Sequence, residues 1–144
     1  MSLHESQARV IVAIDPGKDK CGFAVLTLEG EVLAKAIIPP ALVPQAIADA
    51  LEDRDGEALI IGDRTAKQDL LNIIGNALIR RFRQGVVEVD EHLSSVEGRK
   101  RYLDDHPPRG LSRLLPQGLR APAEPFDDYT AIVLAERYLR ARRS

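Results

Sequence analysis

Cysteine is almost missing from this chain: Cys21 is the single one in 144 residues, so no internal disulfide can form and no thiolate zinc cluster can assemble. Tryptophan is absent and aromatics reach 4%, which leaves a core to be built from aliphatic side chains. Apolar runs are short. Val10 to Ile14 is among the longest at five residues, far below the roughly 20 that a membrane-spanning helix requires. The opening segment MSLHESQAR has no apolar stretch of the kind a secretory signal carries. These absences predict a protein of the reducing cytoplasm with no membrane partner. What is present is ordinary globular composition, 44% hydrophobic and 29% charged, and 144 residues suit one domain spanning 1–144.

The net charge of -2 hides a division along the chain. Residues 1–79 hold 7 Lys and Arg against 12 Asp and Glu, whereas residues 80–144 hold 13 against 10. Between 98 and 120, Arg99, Lys100, Arg101, Arg109, Arg113 and Arg120 are opposed by Asp104 and Asp105 alone. Arginine's planar fork suits phosphate oxygens, so this stretch is the candidate nucleic-acid surface, although a solvated charged face explains charge alone equally well.

Hydrophobic periodicity orders the rest. Residues 9–14 form a β-rich run ending in Asp15-Pro16-Gly17, and 22–28 and 32–38 follow with a Glu29-Gly30-Glu31 turn between them, predicting a three-strand antiparallel meander. Pro39, Pro40 and Pro44 break the pattern before a short helix carrying Ile47, Ala50 and Leu51. A strand over 58–62 precedes a helix whose apolar face runs through Leu70, Leu71, Ile74, Ala77, Leu78 and Phe82. A strand over 86–91 leads into a helix that Ser94 can cap, with Glu97 three residues on. Residues 105–125 contain five prolines and two glycines and are expected to form a loop that contacts substrate. Asp127 to Arg143 closes the chain as an amphipathic helix with Ala131, Leu134, Ala135, Tyr138 and Leu139 on its buried face. The predicted class is α/β, a mixed sheet of three antiparallel strands followed by parallel strands, flanked by helices.

Carboxylates gather where such sheets bind ligands, at strand carboxyl ends: Asp15, Asp63 just past Gly62, and the Asp90-Glu91 pair. Each acid alone is more simply a cap or turn residue, and Asp63 serves equally well as the cap of the next helix. The ordered set, with Asp127-Asp128 opening the last helix, points instead to one crevice in which several carboxylates need cations between them. Oxygen ligands without a Cys/His set favour a pair of Mg²⁺ or Mn²⁺ ions over zinc. Asp127 lies four residues before Ala131 and seven before Leu134, on the buried face, while Asp128 falls on its flank and is left to hold a water of the second metal. Lys20 can assist a scissile phosphate, though a plain surface lysine is the commoner outcome. Cys21 reads as a packing residue, and the Asp15 to Gly22 turn lacks the spacing of a P-loop.

Val12-Ala13-Ile14-Asp15-Pro16-Gly17 with Lys20 and Gly22 resembles the opening motif of the RuvC and YqgF branch of the RNase H-like superfamily. Val89-Asp90-Glu91-His92-Leu93-Ser94-Ser95-Val96-Glu97-Gly98-Arg99 is similar to the YqgF motif of an acidic pair followed by Arg, Leu, Ser or Thr, and a helix. Phe126-Asp127-Asp128-Tyr129-Thr130-Ala131, with Glu136 and Tyr138-Leu139, resembles the family's closing helix. The segments His106 to Leu111 and Leu115 to Arg120 are similar to YqgF proteins of cyanobacteria and related lineages. The resemblance implies an RNase H-like nuclease that matures the 16S ribosomal RNA precursor or resolves Holliday junctions, with Asp15, Glu91 and Asp127 as metal-binding catalytic acids. His92 stands where the family has Arg, which puts a phosphate contact there in question. Two other classes compete. A non-catalytic nucleic-acid-binding module of the same fold would lack activity, and a nucleotide-binding half of the actin or sugar-kinase kind would need a second lobe for which 144 residues leave no room. Junction cleavage would require a two-fold homodimer, whereas trimming RNA requires one site.

Overall fold

The computed structural model describes residues 8–63, 65–90 and 127–143, apart from the side chains of Asp127, Asp128 and Arg143. Five strands form one sheet in the order β3-β2-β1-β4-β5: β1 Arg9–Asp15, β2 Cys21–Thr27, β3 Val32–Ile38, β4 Asp55–Gly62 and β5 Val86–Val89. Strands β1 to β3 are the antiparallel meander, and β1, β4 and β5 run parallel. Helices α1 Val43–Ala50, α2 Lys67–Ile74 and α3 Asn76–Ile79 connect them, and α4 Asp127–Arg143 closes the chain. The α/β class and the mixed sheet are as the periodicity predicts.

Strand β1 is central and buried on both faces, which is why it reads as an unbroken apolar run instead of an alternation. Val10, Val12 and Ile14 face one layer with Val25, Leu59 and Ile61, under α1 and α2 through Val43, Ile47, Leu70 and Ile74. Ile11 and Ala13 face the other with Ala24, Leu26, Ala58 and Ile60, under α4 through Tyr129, Ala131, Ile132, Leu134, Ala135 and Leu139. Cys21 is buried in the first layer, a packing residue as expected. Among the described residues no helix is long and apolar enough to cross a membrane.

Several expected boundaries shift. The helix expected through Phe82 divides at Gly75, whose φ of 83° a side chain rarely adopts, so α2 stops there and α3 restarts on a new axis. Phe82 lies beyond α3 and fills the space over Gly56, where an added Cβ would approach its ring to 2.7 Å. Strand β4 begins at Asp55, three residues before its apolar run, because Arg9 and Val10 pair with Asp55 and Gly56 ahead of a register shift. Strand β5 ends at Val89, short of the expected carboxylates. The cap of α2 is Ala66 and not Asp63.

Candidate active site

The register of the sheet builds the site around Asp15. Alternation along β1 puts Asp15 on the same face as Ile11 and Ala13, beneath α4, and the residue is 3% exposed. Its partner on β2 is Gly22, on the same face as Ala24. On the other side the β1–β4 pairing runs to Ile14 opposite Ile61, and the next residue of β4 is Gly62, on the same face as Ile60. The Asp15 carboxylate is therefore flanked across both neighbouring strands by glycines, which put no side chain beside it. Gly62 in turn pairs with Val89, which packs into the α4 layer. Glycine inside a strand weakens it, and its use here withholds a Cβ on both sides of a buried acid.

Helix α4 covers this face of the sheet. Its last turns lie at the amino ends of β1 and β4, where Arg142 donates to Glu57 at 2.8 Å and Leu139 lies against Gly30 of the β2–β3 turn. Its first turn therefore lies at the carboxyl ends: Lys35 sits 4.6 Å from the centroid of the Tyr129 ring, and Lys35 pairs with Ala24, which pairs with Ala13, one row below Asp15. The backbone of Asp127 and Asp128 thus enters α4 at the sheet end that carries Asp15. Farther along, Arg137 donates to the carbonyl of Asp90 at 2.8 Å and ties the helix to the chain just past β5.

The turn from β1 to β2 is tight. A Cβ on Gly17 would come within 2.0 Å of the Lys20 carbonyl oxygen, so glycine is required there for the chain to fold back. Lys18, Asp19 and Lys20 are exposed on this hairpin, and a cavity of about 450 Å³ opens between Gly17 and Lys18, Pro40, and Thr65, Ala66 and Asp69 at the start of α2.

Asp63 belongs to a different arrangement. Its side chain is exposed and ion-paired with Lys67 at 3.3 Å, and Lys67 also pairs with Glu88 on the α2 side of the sheet. The hydrogen bond with Glu88, supported by that with Asp63, holds the Lys67 ammonium above its ordinary pKa. Asp63 therefore serves this exposed ion-pair network and does not cap α2. Glu91, His92, Ser94, Ser95, Arg99, Lys100, Arg101, Arg109, Arg113, Arg120 and the 105–125 loop lie outside the described residues. Among the described residues no three His, Cys, Asp or Glu side chains converge as a metal cluster. Sequence reasoning passed over Arg137, and it read Gly22 and Gly62 as a motif residue and a strand end without placing them on either side of Asp15.

The fold is shared with two solved structures. A T. thermophilus RuvC in complex with Holliday junction substrate is 16% identical, with a TM-score of 0.55 and coverage of 94% of this chain and 96% of that one. A second Thermus thermophilus RuvC structure is 17% identical, with a TM-score of 0.52 and coverage of 93% and 96%. No family model matches the sequence, and no curated protein matches it. The architecture is therefore the α/β, RNase H-like fold of RuvC, over nearly the whole length of both chains.

Proposed function

We propose that this chain is a divalent-metal-dependent nuclease that hydrolyses phosphodiester bonds in structured nucleic acid, either the 5′ region of precursor 16S ribosomal RNA or branched DNA such as a Holliday junction. The observation that carries the reading is Asp15: a buried carboxylate at the end of the central strand, flanked by Gly22 and Gly62, under the first turn of a helix that opens with two more acids. Such a donor set, carboxylate oxygens with glycine on both neighbouring strands, fits Mg²⁺ or Mn²⁺. Asp15, Glu91 and Asp127 are the residues that would hold the metal, with Asp128 beside them. When bound, a pair of such ions activates a water and steadies the leaving oxygen.

The chain's own residues divide the remaining work. The sheet fixes Asp15, since the strand on either side of β1 holds its backbone. Lys20 on the neighbouring hairpin and the arginines between 98 and 120 supply positive charge for the phosphate backbone. The shared fold with a RuvC bound to Holliday junction substrate supports branched DNA, and the YqgF-like motifs support ribosomal RNA. Cleavage of symmetric junction strands would use a homodimer.

Cleavage of labelled precursor RNA and of a four-way junction, with and without Mn²⁺, tests the reading. Wild-type protein is expected to cut one of them only with metal, and Asp15→Asn to lose on the order of 10³-fold in rate, about 4 kcal/mol of barrier. Full metal-dependent cleavage by Asp15→Asn overturns the assignment. Binding without cleavage by the wild type identifies the non-catalytic module instead.

A further inference from the structure

Strand β3 lies at the edge of the sheet and holds a single charged residue, Lys35, among its seven. A lysine in the middle of an edge strand is a common guard against pairing with another chain. A guard has only to stay exposed, and Lys35 does more. It pairs with Ala24, which puts it on the face covered by α4, and its Nζ stands over the Tyr129 ring, 4.6 Å from the centroid. Lys35 remains exposed, whereas Tyr129 is 4% exposed and packs in one layer with Ala131, Ile132 and Leu134 against the sheet. An ammonium over an aromatic ring is held there by the ring's quadrupole. Tyr129 is the third residue of α4, so the contact falls on the turn that starts at Asp127. A helix has the positive end of its dipole at that turn, and an ammonium beside it is disfavoured unless carboxylates offset the field. The chain supplies two at that point, Asp127 and Asp128. The polar ties already described, Arg137 to the Asp90 carbonyl and Arg142 to Glu57, hold the helix farther along.

We infer that Lys35 is a positioning residue for the candidate site: by gripping the Tyr129 ring from β3, it fixes the first turn of α4, and with it the backbone of Asp127 and Asp128, at the sheet end that carries Asp15. The inference rests on the nuclease reading for what those acids do. Carboxylates that reach one metal from different elements must keep their spacing to about 0.5 Å, so a loosened first turn lowers the rate of the chemical step. Binding of substrate elsewhere is unaffected by it. Lys35 acts through Tyr129 and not by touching substrate.

The experiment combines amide hydrogen exchange without metal and Mn²⁺-dependent cleavage of precursor RNA and of a four-way junction. The variants are Lys35→Met, Lys35→Arg, Tyr129→Leu, Tyr129→Phe and the double Lys35→Met/Tyr129→Leu. Methionine keeps the apolar stem and removes the charge. The amides of Ala131 to Leu134 bond to the carbonyls of residues 127–130 and so report on the first turn. In Lys35→Met they are expected to exchange about 3–5-fold faster, while those of Leu139 to Arg142 keep the wild-type rate. The kcat is expected to fall about 10-fold with KM within about 2-fold of wild type. Lys35→Arg and Tyr129→Phe should retain exchange and kcat, because a guanidinium also sits on an aromatic face and phenylalanine keeps the ring. The double variant should lose no more than Tyr129→Leu alone, since the pair acts as a unit. Additive losses in the double variant overturn the inference. So does unchanged exchange in Lys35→Met, a Tyr129→Phe as impaired as Tyr129→Leu, or a raised KM with kcat unaltered, which would make Lys35 a phosphate contact. Failure of the nuclease reading is distinct: a wild type that cleaves neither substrate removes that reading, while faster exchange at Ala131 to Leu134 in Lys35→Met still upholds the grip on the helix.

Discussion

Glu57→Gln probes the lock that closes the amino end of the sheet. The shape of the side chain is kept and its charge removed, which leaves one oxygen to accept and sets an amide N–H₂ against the donor or donors on the other side, so a hydrogen bond from Arg9 or from Arg142 is lost. Burial alone would raise the Glu57 pKa; the hydrogen bonds from Arg142 and Gln84 and the charges of Arg142 and Arg9 outweigh it and hold the carboxyl below its ordinary value. Breaking a buried pair by removing one partner costs about 3–5 kcal/mol when the other charge is stranded. Here both arginines are exposed enough to rehydrate, so the expected loss is smaller, about 2–3 kcal/mol, or roughly 6–12 °C in melting temperature for a domain of this size. Because the folded-state pKa is depressed, the stabilisation is fully present above the unfolded carboxyl value near 4.3 and is lost as pH falls through the folded value. Urea unfolding followed by circular dichroism at pH 7, 5 and 3.5 reads both effects: the gap between wild type and variant should hold from pH 7 to 5 and narrow at 3.5. A gap under about 0.5 kcal/mol at pH 7, or one that widens in acid, refutes the argument.

Three further variants address the other end. Gly22→Val places a branched side chain on the α4 face beside Asp15, so metal-dependent cleavage should fall by about 100-fold or more, while overpacking costs about 1–3 kcal/mol in unfolding experiments; retained cleavage per folded molecule would show that glycine is not needed beside Asp15. Asp127→Asn should abolish Mn²⁺-dependent cleavage and Asp128→Asn leave a measurable remainder, because residues one apart on a helix point about 100° apart; the reverse ranking would move the closing helix by one residue relative to the site.

The parts of the fold that local patterns encode were legible. The three-strand meander, the ending of β1 at Asp15 and the span of α4 from Asp127 to Arg143 follow from apolar runs, a Pro-Gly turn and 3.6-residue spacing. What escaped reading depends on partners far away in sequence. Glu57 sits in the polar string Glu52-Asp53-Arg54-Asp55-Gly56-Glu57 and gives no local sign of burial, since its three partners stand 48, 27 and 85 residues away. The register shift between Val10 and Ile11 opposite Gly56 and Ala58 leaves Glu57 as the extra residue, and such a bulge re-aims a side chain. The break at Gly75 was missed for another reason: apolar spacing continues across it through Leu78, and a positive φ leaves no trace in hydrophobic periodicity. For the site, Asp15 and its strand-end position were readable, whereas the glycines on either side of it needed the pairing of β1 with β2 and with β4.

The two ends of this sheet handle a buried carboxylate in opposite ways, and the contrast follows from position. At the amino ends of the parallel strands, Glu57 is fully engaged: two arginines and a glutamine use both of its oxygens, and a segment from each of β1, the β5 approach and α4 is pinned together there. At the carboxyl ends, the strands flanking Asp15 present glycine, and the adjoining helix begins with two acids, so the sequence adds negative charge and withholds bulk. Neither choice there favours folding, because glycine weakens strands and like charges repel. A chain can carry such a region when the rest of the helix is held independently: α4 is secured by Arg142 at its last turn and by an apolar face that runs from Tyr129 to Leu139 on β1, β2 and β4. The Glu57 lock sits at one end of the helix and the proposed site at the other, and the same seventeen residues join them.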